Sequence, residues 1–364
     1  MKRILEEPRK KSCDYALVIT VLLLVIIGWY VLYSTSAYNG QVKFQDAGYY
    51  LKKQIFATSL GLAGMYVMAN IDYHIWQKYA IPIYGVALML SVLVLLIGDE
   101  YNGSKRWLSF GPLSFQPSEY AKLAVILFLA WLICRLGKRV KKFGVLIGVM
   151  LSILPIVGLV GASNLSTAII ILGIGVVLIF VASPRYAQFV WLGIGAVGFM
   201  AIFLALESYR LERIAIWLNP EKYEKGYQTL QGLYAIGSGG LFGRGTGESI
   251  QKLGFVPEAQ NDMIFSIICE EWGLVGASLL MLLFLILIWR FFLIAVYATD
   301  LFGTLIAAGA MAHMMIQVIL NIAVVTNTIP NTGITLPFVS YGGTSVLFLL
   351  MEIGVVLNVS HLLK

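Results

Sequence analysis

Long uncharged apolar runs alternate with short polar stretches along almost the whole chain. Runs long enough to cross a bilayer as helix, about 17–25 residues each, fall near 15–35, 54–71, 80–98, 118–136, 143–161, 164–182, 187–206, 266–292, 303–325 and 343–362. The pattern predicts an all-α, polytopic integral membrane protein of about ten spans, one membrane domain over 1–364 with both termini on the same side. The first run follows a basic start, MKRILEEPRKK, and is too long for the apolar core of a cleaved signal peptide. It therefore reads as an uncleaved first span behind a tail at 1–14. The turn at 161–164 is tight enough that a re-entrant pair also satisfies the pattern. The longest polar stretch, 207–262, separates the seventh and eighth spans.

Composition supports this. Charged residues make up 12% of the chain, against about 25% in soluble domains, and mean hydropathy is +0.84. The net charge of +7 does not mark a nucleic-acid surface, because the cations sit at the ends of spans. If the N-terminus is cytoplasmic, that side carries Lys2, Arg3, Arg9, Lys10, Lys11, Lys78, Arg135, Lys138, Arg139, Lys141, Lys142, Arg185, Arg290 and Lys364. The short loops opposite carry only Lys43, Lys52, Lys53, Lys105 and Arg106, so both termini are expected inside. Three polar segments then face outward: 99–117, 207–262 and 326–342. No nucleotide-binding GxxxxGK[ST] run occurs, and Cys13, Cys134 and Cys269 are isolated, which argues against a disulfide framework or a metal cluster.

Each outward segment holds candidate chemistry. In GSKRWLSFGPLSFQPSEYAK, Pro117 suits the first turn of a helix, which puts Glu119 and Lys122 on one face. A carboxylate and an ammonium at the mouth of a membrane helix are costly unless paired or functional. Lys105 and Arg106 precede the interfacial Trp107 and could hold a lipid phosphate or mark the end of a span. Residues 207–227 mix acids, bases and aromatics, as surface-lying amphipathic helices do. The run GSGGLFGRGTG is too glycine-rich for an ordinary helix or strand, and its amides, with Arg244 and Lys252, would form a pocket for anionic oxygens. Asp262 stands just before an apolar helix, where it could cap the helix or act beside that pocket. Glu270 and Glu271 lie deeper, and one of them could pair with a buried base such as Lys122. In NTIPNTGITLPFVSYGGTS, prolines and glycines keep the chain non-helical between spans, and Ser340, Tyr341 and Thr344 offer hydroxyls to sugar or phosphate. Asn321 reads as a helix-packing contact, and neither His74 nor His313 shows a ligand partner in the sequence.

Four blocks in order resemble the SEDS proteins, the FtsW/RodA/SpoVE group of peptidoglycan glycosyltransferases. They are QPSExxK at 116–122, YQxxQ…GSGG…GxGxG…QK at 227–252, PE…D.IF…EE.G at 257–273 and P.TGI.LPF.SYGG.S at 330–345. GTGESIQK and NTGITLPFVSYGG look nearer the FtsW and sporulation branch. The resemblance implies an enzyme that polymerises lipid II on the outer face of the bacterial cytoplasmic membrane, beside a class B penicillin-binding protein. It puts the general base at Asp262. Lys105, Arg106, Arg244 and Lys252 become candidates for the leaving pyrophosphate, with Glu119 and Lys122 shaping the cavity. No cofactor is certain, though a divalent cation, Mg²⁺ or Mn²⁺, could share the work. Where the family often carries an acid, this chain has Asn164, and Gln260-Asn261 replaces a commoner His-Thr. A lipid-linked sugar flippase would need polar groups through the inner half of the membrane, and an inactive scaffold would not need Asp262.

Overall fold

A computed structural model describes residues 13–101, 104–110, 113–183, 190, 193–195, 198 and 214–363. The expected span at 187–206 falls largely outside the described residues. The others appear as α1 (Tyr15–Phe44), α2 (Tyr49–Asn70), α3 (His74–Ile97), α4 (Pro117–Leu136), α5 (Phe143–Ser163), α6 (Leu165–Ala182), α8 (Ile264–Tyr297), α9 (Leu301–Val325) and α10 (Gly343–Ser360). Among the described residues eight helices are long and apolar enough to cross a membrane. Helix α2 is long enough but less apolar, because Lys52, Lys53 and Gln54 occupy its first turns. The chain is thus a multi-pass helical membrane protein.

The pattern missed some local structure. Residues 99–115 form a small antiparallel meander, β1 (Asp99–Tyr101), β2 (Ser104–Phe110) and β3 (Leu113–Phe115), in the order β1-β2-β3. Thr344 Oγ1 donates to the Ser114 carbonyl at 2.9 Å, tying the meander to the start of α10. Helices α5 and α6 are two span-length helices hinged at Asn164 rather than a short re-entrant pair. Asn164 Oδ1 accepts from the Thr167 N–H at 3.2 Å and caps α6, so an amide does here what a carboxylate would do at a helix start. The described part of 207–227 is a short helical stretch at 214–218 and two 3-10 turns, Pro220–Lys222 and Glu224–Gly226, and residues 207–213 of the expected amphipathic stretch lie outside the described residues. Helix α7 (Tyr227–Gly239) runs on through Gly237-Ser238-Gly239, contrary to the expectation for that glycine run.

Burial sorts the helices into centre and rim. Helices α9 and α10 are the most enclosed of the spans, whereas α3, α5 and α8 turn wide apolar faces outward, as lipid-facing helices do. Backbones come close where glycine allows it: a Cβ on Gly61 would meet Leu350 at 2.7 Å, and one on Gly354 would meet the Met65 carbonyl at 2.5 Å, which locks α2 against α10. At one end of the body Arg290 pairs with Asp14 at 2.6 Å, and Asn358 Oδ1 accepts from the Tyr73 N–H at 2.8 Å. At the opposite end lie the meander, the 251–263 turns and the non-helical 326–342 segment.

Candidate active site

Asp262 lies one residue before the Met263 N-cap of α8, so it is not the residue that opens the helix. Its side chain is buried, 8% exposed. Three elements converge on it. From the first turn of α7, Gln228 Nε2 reaches Asp262 Oδ1 at 3.5 Å and the Pro257 carbonyl at 3.3 Å. From α9, Asn321 Nδ2 donates to the Asp262 carbonyl at 2.8 Å and to the Ile334 carbonyl at 2.7 Å. From the 326–342 segment, Asn331 Nδ2 donates to Gln228 Oε1 at 3.3 Å, and a Cβ on Gly333 would lie 3.9 Å from Asp262 Oδ2. The carboxylate is thus surrounded by side chains and backbone from three separate elements.

The glycine loop does not form the expected anion pocket, because the protein fills it with its own carboxylates. The amides of Ile250 and Gln251 and the hydroxyl of Ser249 all donate to Glu270, and Arg244 Nε lies 3.8 Å from the same carboxylate. Lys252 pairs with Glu271 at 2.7 Å, and Ser34 bridges them: its hydroxyl accepts from Lys252 Nζ at 2.9 Å and donates to Glu271 Oε1 at 2.7 Å. Neither glutamate pairs with Lys122, which instead bonds Glu119 at 3.0 Å, three residues back on α4. The loop also mends a broken helix. Gly273 sits at φ 66°, ψ −167° inside α8. The Leu274 and Val275 N–H groups released there donate to the Gly240 and Leu241 carbonyls at 2.9 and 3.0 Å. The Glu270 and Glu271 carbonyls accept from Arg244 and Gly245 at 2.9 and 3.0 Å. Irregular backbone beside a membrane must be satisfied by protein in this way.

The remaining candidates divide. Lys105 Nζ donates to the Leu96 carbonyl at 3.3 Å and Arg106 Nε to the Ser163 carbonyl at 2.7 Å, so both sit over the last turns of helices, α3 and α5. The anchor of Arg106, Ser163, stands three residues before Ser166, whose hydroxyl donates to the Thr332 carbonyl at 3.0 Å. Arg244 is partly exposed and lines an open cleft of about 430 Å³ with Tyr234, Ser238 and Gln251. Ser340 is structural: its hydroxyl accepts from the Leu336 N–H at 2.8 Å and donates to the Asn261 carbonyl at 2.6 Å. Tyr341 packs edge-on to Tyr50, and burial raises its phenol to about 12, keeping it a neutral donor. Sequence reasoning missed Gln228, Glu352 and the role of His313. The signal for His313 was present, because His313, Gln317 and Asn321 recur one turn apart on an otherwise apolar helix.

A family model described as "Cell cycle protein", for the FtsW, RodA and SpoVE proteins, matches residues 14–364. The chain belongs to the FtsW/RodA/SpoVE family. This member is 43% identical to "Stage V sporulation protein E" of Bacillus subtilis (strain 168), over 97% of this chain and 98% of that protein. It is 36% identical to the "Probable peptidoglycan glycosyltransferase FtsW" of Trichlorobacter lovleyi, over 100% of this chain and 97% of the relative. Its fold superposes on a chain from a solved peptidoglycan synthase complex that coordinates polymerization and crosslinking. There the TM-score is 0.80 and identity 30%, over 96% of this chain and 98% of the other. The Thermus thermophilus rod-shape protein RodA matches at a TM-score of 0.70 and 29% identity, over 97% and 98% of the two chains.

Proposed function

We propose that this FtsW/RodA/SpoVE family member is a peptidoglycan glycosyltransferase that polymerises lipid II, with Asp262 as its general base. The observation that carries the reading is the setting of Asp262, a buried carboxylate at the meeting of α7, α9 and the 331–336 segment. Asp262 takes the proton of the acceptor GlcNAc 4-hydroxyl. That oxygen attacks the anomeric carbon of the donor MurNAc with inversion, and the bond to undecaprenyl pyrophosphate breaks with its electron pair leaving on phosphate oxygen. Charge developing on the leaving group needs fixed donors. Lys122 and Lys252 pair with buried carboxylates and Arg244 lies 3.8 Å from Glu270. Arg106 is the first cation to meet that charge, because its anchor Ser163 stands three residues before the Ser166–Thr332 contact, with Lys105 and Arg244 as the further candidates.

The site end faces outward and both termini lie in the cytoplasm, a reading supported by the basic η-turn Gly137–Lys141 and Arg290 at the opposite end. A class B penicillin-binding protein supplies the transpeptidation, by analogy with the chain found in a synthase complex. Among the described residues no three His, Cys, Asp or Glu side chains form a metal-ligand set. Assays with EDTA and with added Mg²⁺ or Mn²⁺ measure what a divalent ion contributes. The test is glycan polymerisation from purified lipid II, with and without a partner that has no glycosyltransferase domain. Glycan strands from the wild type support the enzyme. Transport of lipid II across vesicles without any polymer would replace it with the flippase.

A further inference from the structure

Behind the site, five polar side chains from three central helices form one buried chain. Glu119 Oε1 accepts from Lys122 Nζ at 3.0 Å, and Lys122 Nζ also donates to Gln317 Oε1 at 3.0 Å. Gln317 Oε1 lies 2.9 Å from His313 Nε2, and His313 Nδ1 lies 2.8 Å from Glu352 Oε2. Gln317 Nε2 donates to the Thr335 carbonyl at 3.0 Å. All five side chains are nearly inaccessible to solvent.

The chemistry of the partners fixes the protons. The ion-paired Lys122 only donates and a backbone carbonyl only accepts, so the Gln317 amide has one orientation, oxygen toward Lys122 and nitrogen toward Thr335. His313 Nε2 faces that oxygen and must therefore carry a proton. Its Nδ1 faces a carboxylate, and this contact also needs a proton, held on the ring or on Glu352. The His313–Glu352 pair thus holds two protons, and losing one would leave two acceptors face to face in a buried site. Among the described residues, the charged groups beside His313 are Glu352 on α10, in direct contact, and Lys122 and Glu119 on α4, across Gln317.

We infer that His313 is a positioning residue: with Glu352 behind it, it locks the Gln317 amide, which anchors Thr335 and so holds the 331–336 wall against Asp262. Asn321, one turn further along α9, grips the same strand of backbone at Ile334 and the carbonyl of Asp262 itself. Lys122 and the Thr335 carbonyl set which way the amide faces, and His313 adds a second donor to Gln317 Oε1 that holds this atom in place. The inference rests on the proposed polymerase reading for its effect on rate, but not for the proton placement or the wall.

Two measurements test it. In a single-histidine protein (His74→Gln with His361→Gln) labelled with ¹⁵N-histidine, the ring spectrum should show a protonated Nε2 and an Nδ1 sharing a proton with Glu352. An Nε2 without a proton overturns the assignment. In the full-length protein, amide hydrogen exchange of the peptide holding 331–336 should speed up in His313→Ala and in Gln317→Glu, and return toward wild type in His313→Gln, which keeps a donor at the Nε2 position. Polymerisation should follow, falling about 10–100-fold in kcat more than in KM for the first two variants and recovering in the third. Unchanged exchange at 331–336 in both His313→Ala and Gln317→Glu overturns the inference. If wild type forms no glycan, the spectrum and the exchange data still decide it, so its failure and that of the polymerase reading remain distinguishable.

Discussion

Four cations, Lys105, Arg106, Arg244 and Lys252, read alike in the sequence as candidates for the pyrophosphate, and the structure separates them by what each one touches. Lys252 is spent on Glu271 and Ser34 inside the protein. Removing one member of such a buried pair strands the other charge, so Lys252→Met should destabilise the protein by about 3–5 kcal/mol. Lys252→Met with Glu271→Gln should recover most of that loss, measured by thermal unfolding in detergent. Lys52, exposed in its pair with Asp46, is the contrasting case, and Lys52→Ala should leave both stability and polymerisation at wild-type level. Arg106→Ala should slow polymerisation with a smaller effect on melting than Lys252→Met. The Glu119–Lys122 pair was legible from the sequence because its partners stand three apart on one helix. Lys252 and Glu271 were not, because the chain between them folds back across a broken helix. A carboxylate 19 or more positions downstream gives no local sign that it will fill a nest of amides.

At the scale of elements, α8 is the decisive case. Its sequence reads as one apolar run, and nothing in that run announces that Gly273 will leave the helix while the glycine loop supplies the lost backbone partners. Glycine is required on both sides of the contact: a Cβ on Gly273 would meet the Gly243 nitrogen at 2.3 Å, and one on Gly239 would meet the Cys269 carbonyl at 1.9 Å. The Gly273 conformation alone costs about 1–3 kcal/mol for other residues. Gly273→Ala should therefore lower the melting temperature sharply and expose the 240–250 loop to protease. The two outer strands of the meander at 99–115 escaped notice for a different reason, since three residues are too short to show an alternating pattern. At the opposite end, Asp300 caps α9 through the Gly303 N–H at 2.9 Å. Burial pushes its carboxyl up, but the hydrogen bonds from Tyr73 and Gly303 outweigh this and hold it below the usual range. A lowered folded value means this contribution is full above the unfolded carboxylate range and is lost as pH falls through the folded value. Tyr73→Phe should thus cost stability at pH 7 and flatten the acid limb of a melting-temperature profile, which is the measurement that checks it.

Across the whole molecule, the order of the helices follows from the apolar runs alone, since a bilayer admits few other solutions, whereas the proposed outward placement of the three polar segments rests on the lysine and arginine tally. What the runs do not specify is which helices lie at the centre. Helices α9 and α10 are nearly enclosed because they carry the polar stripe from His313 to Asn321 and the partner Glu352, groups that lipid would not tolerate. That enclosed pair, with the 326–342 segment between its members, forms the wall on which Asp262 rests. The central claim is that this carboxylate takes the proton from the acceptor sugar. Its direct test is polymerisation of purified lipid II by wild type and by Asp262→Asn, matched for folding by melting temperature and supplied with the same transpeptidase partner. Loss of about 10²–10⁴-fold or more in the variant, at an unchanged melting temperature, is what a general base predicts. Equal glycan from both proteins would contradict it and leave Asp262 as a structural residue at the head of α8.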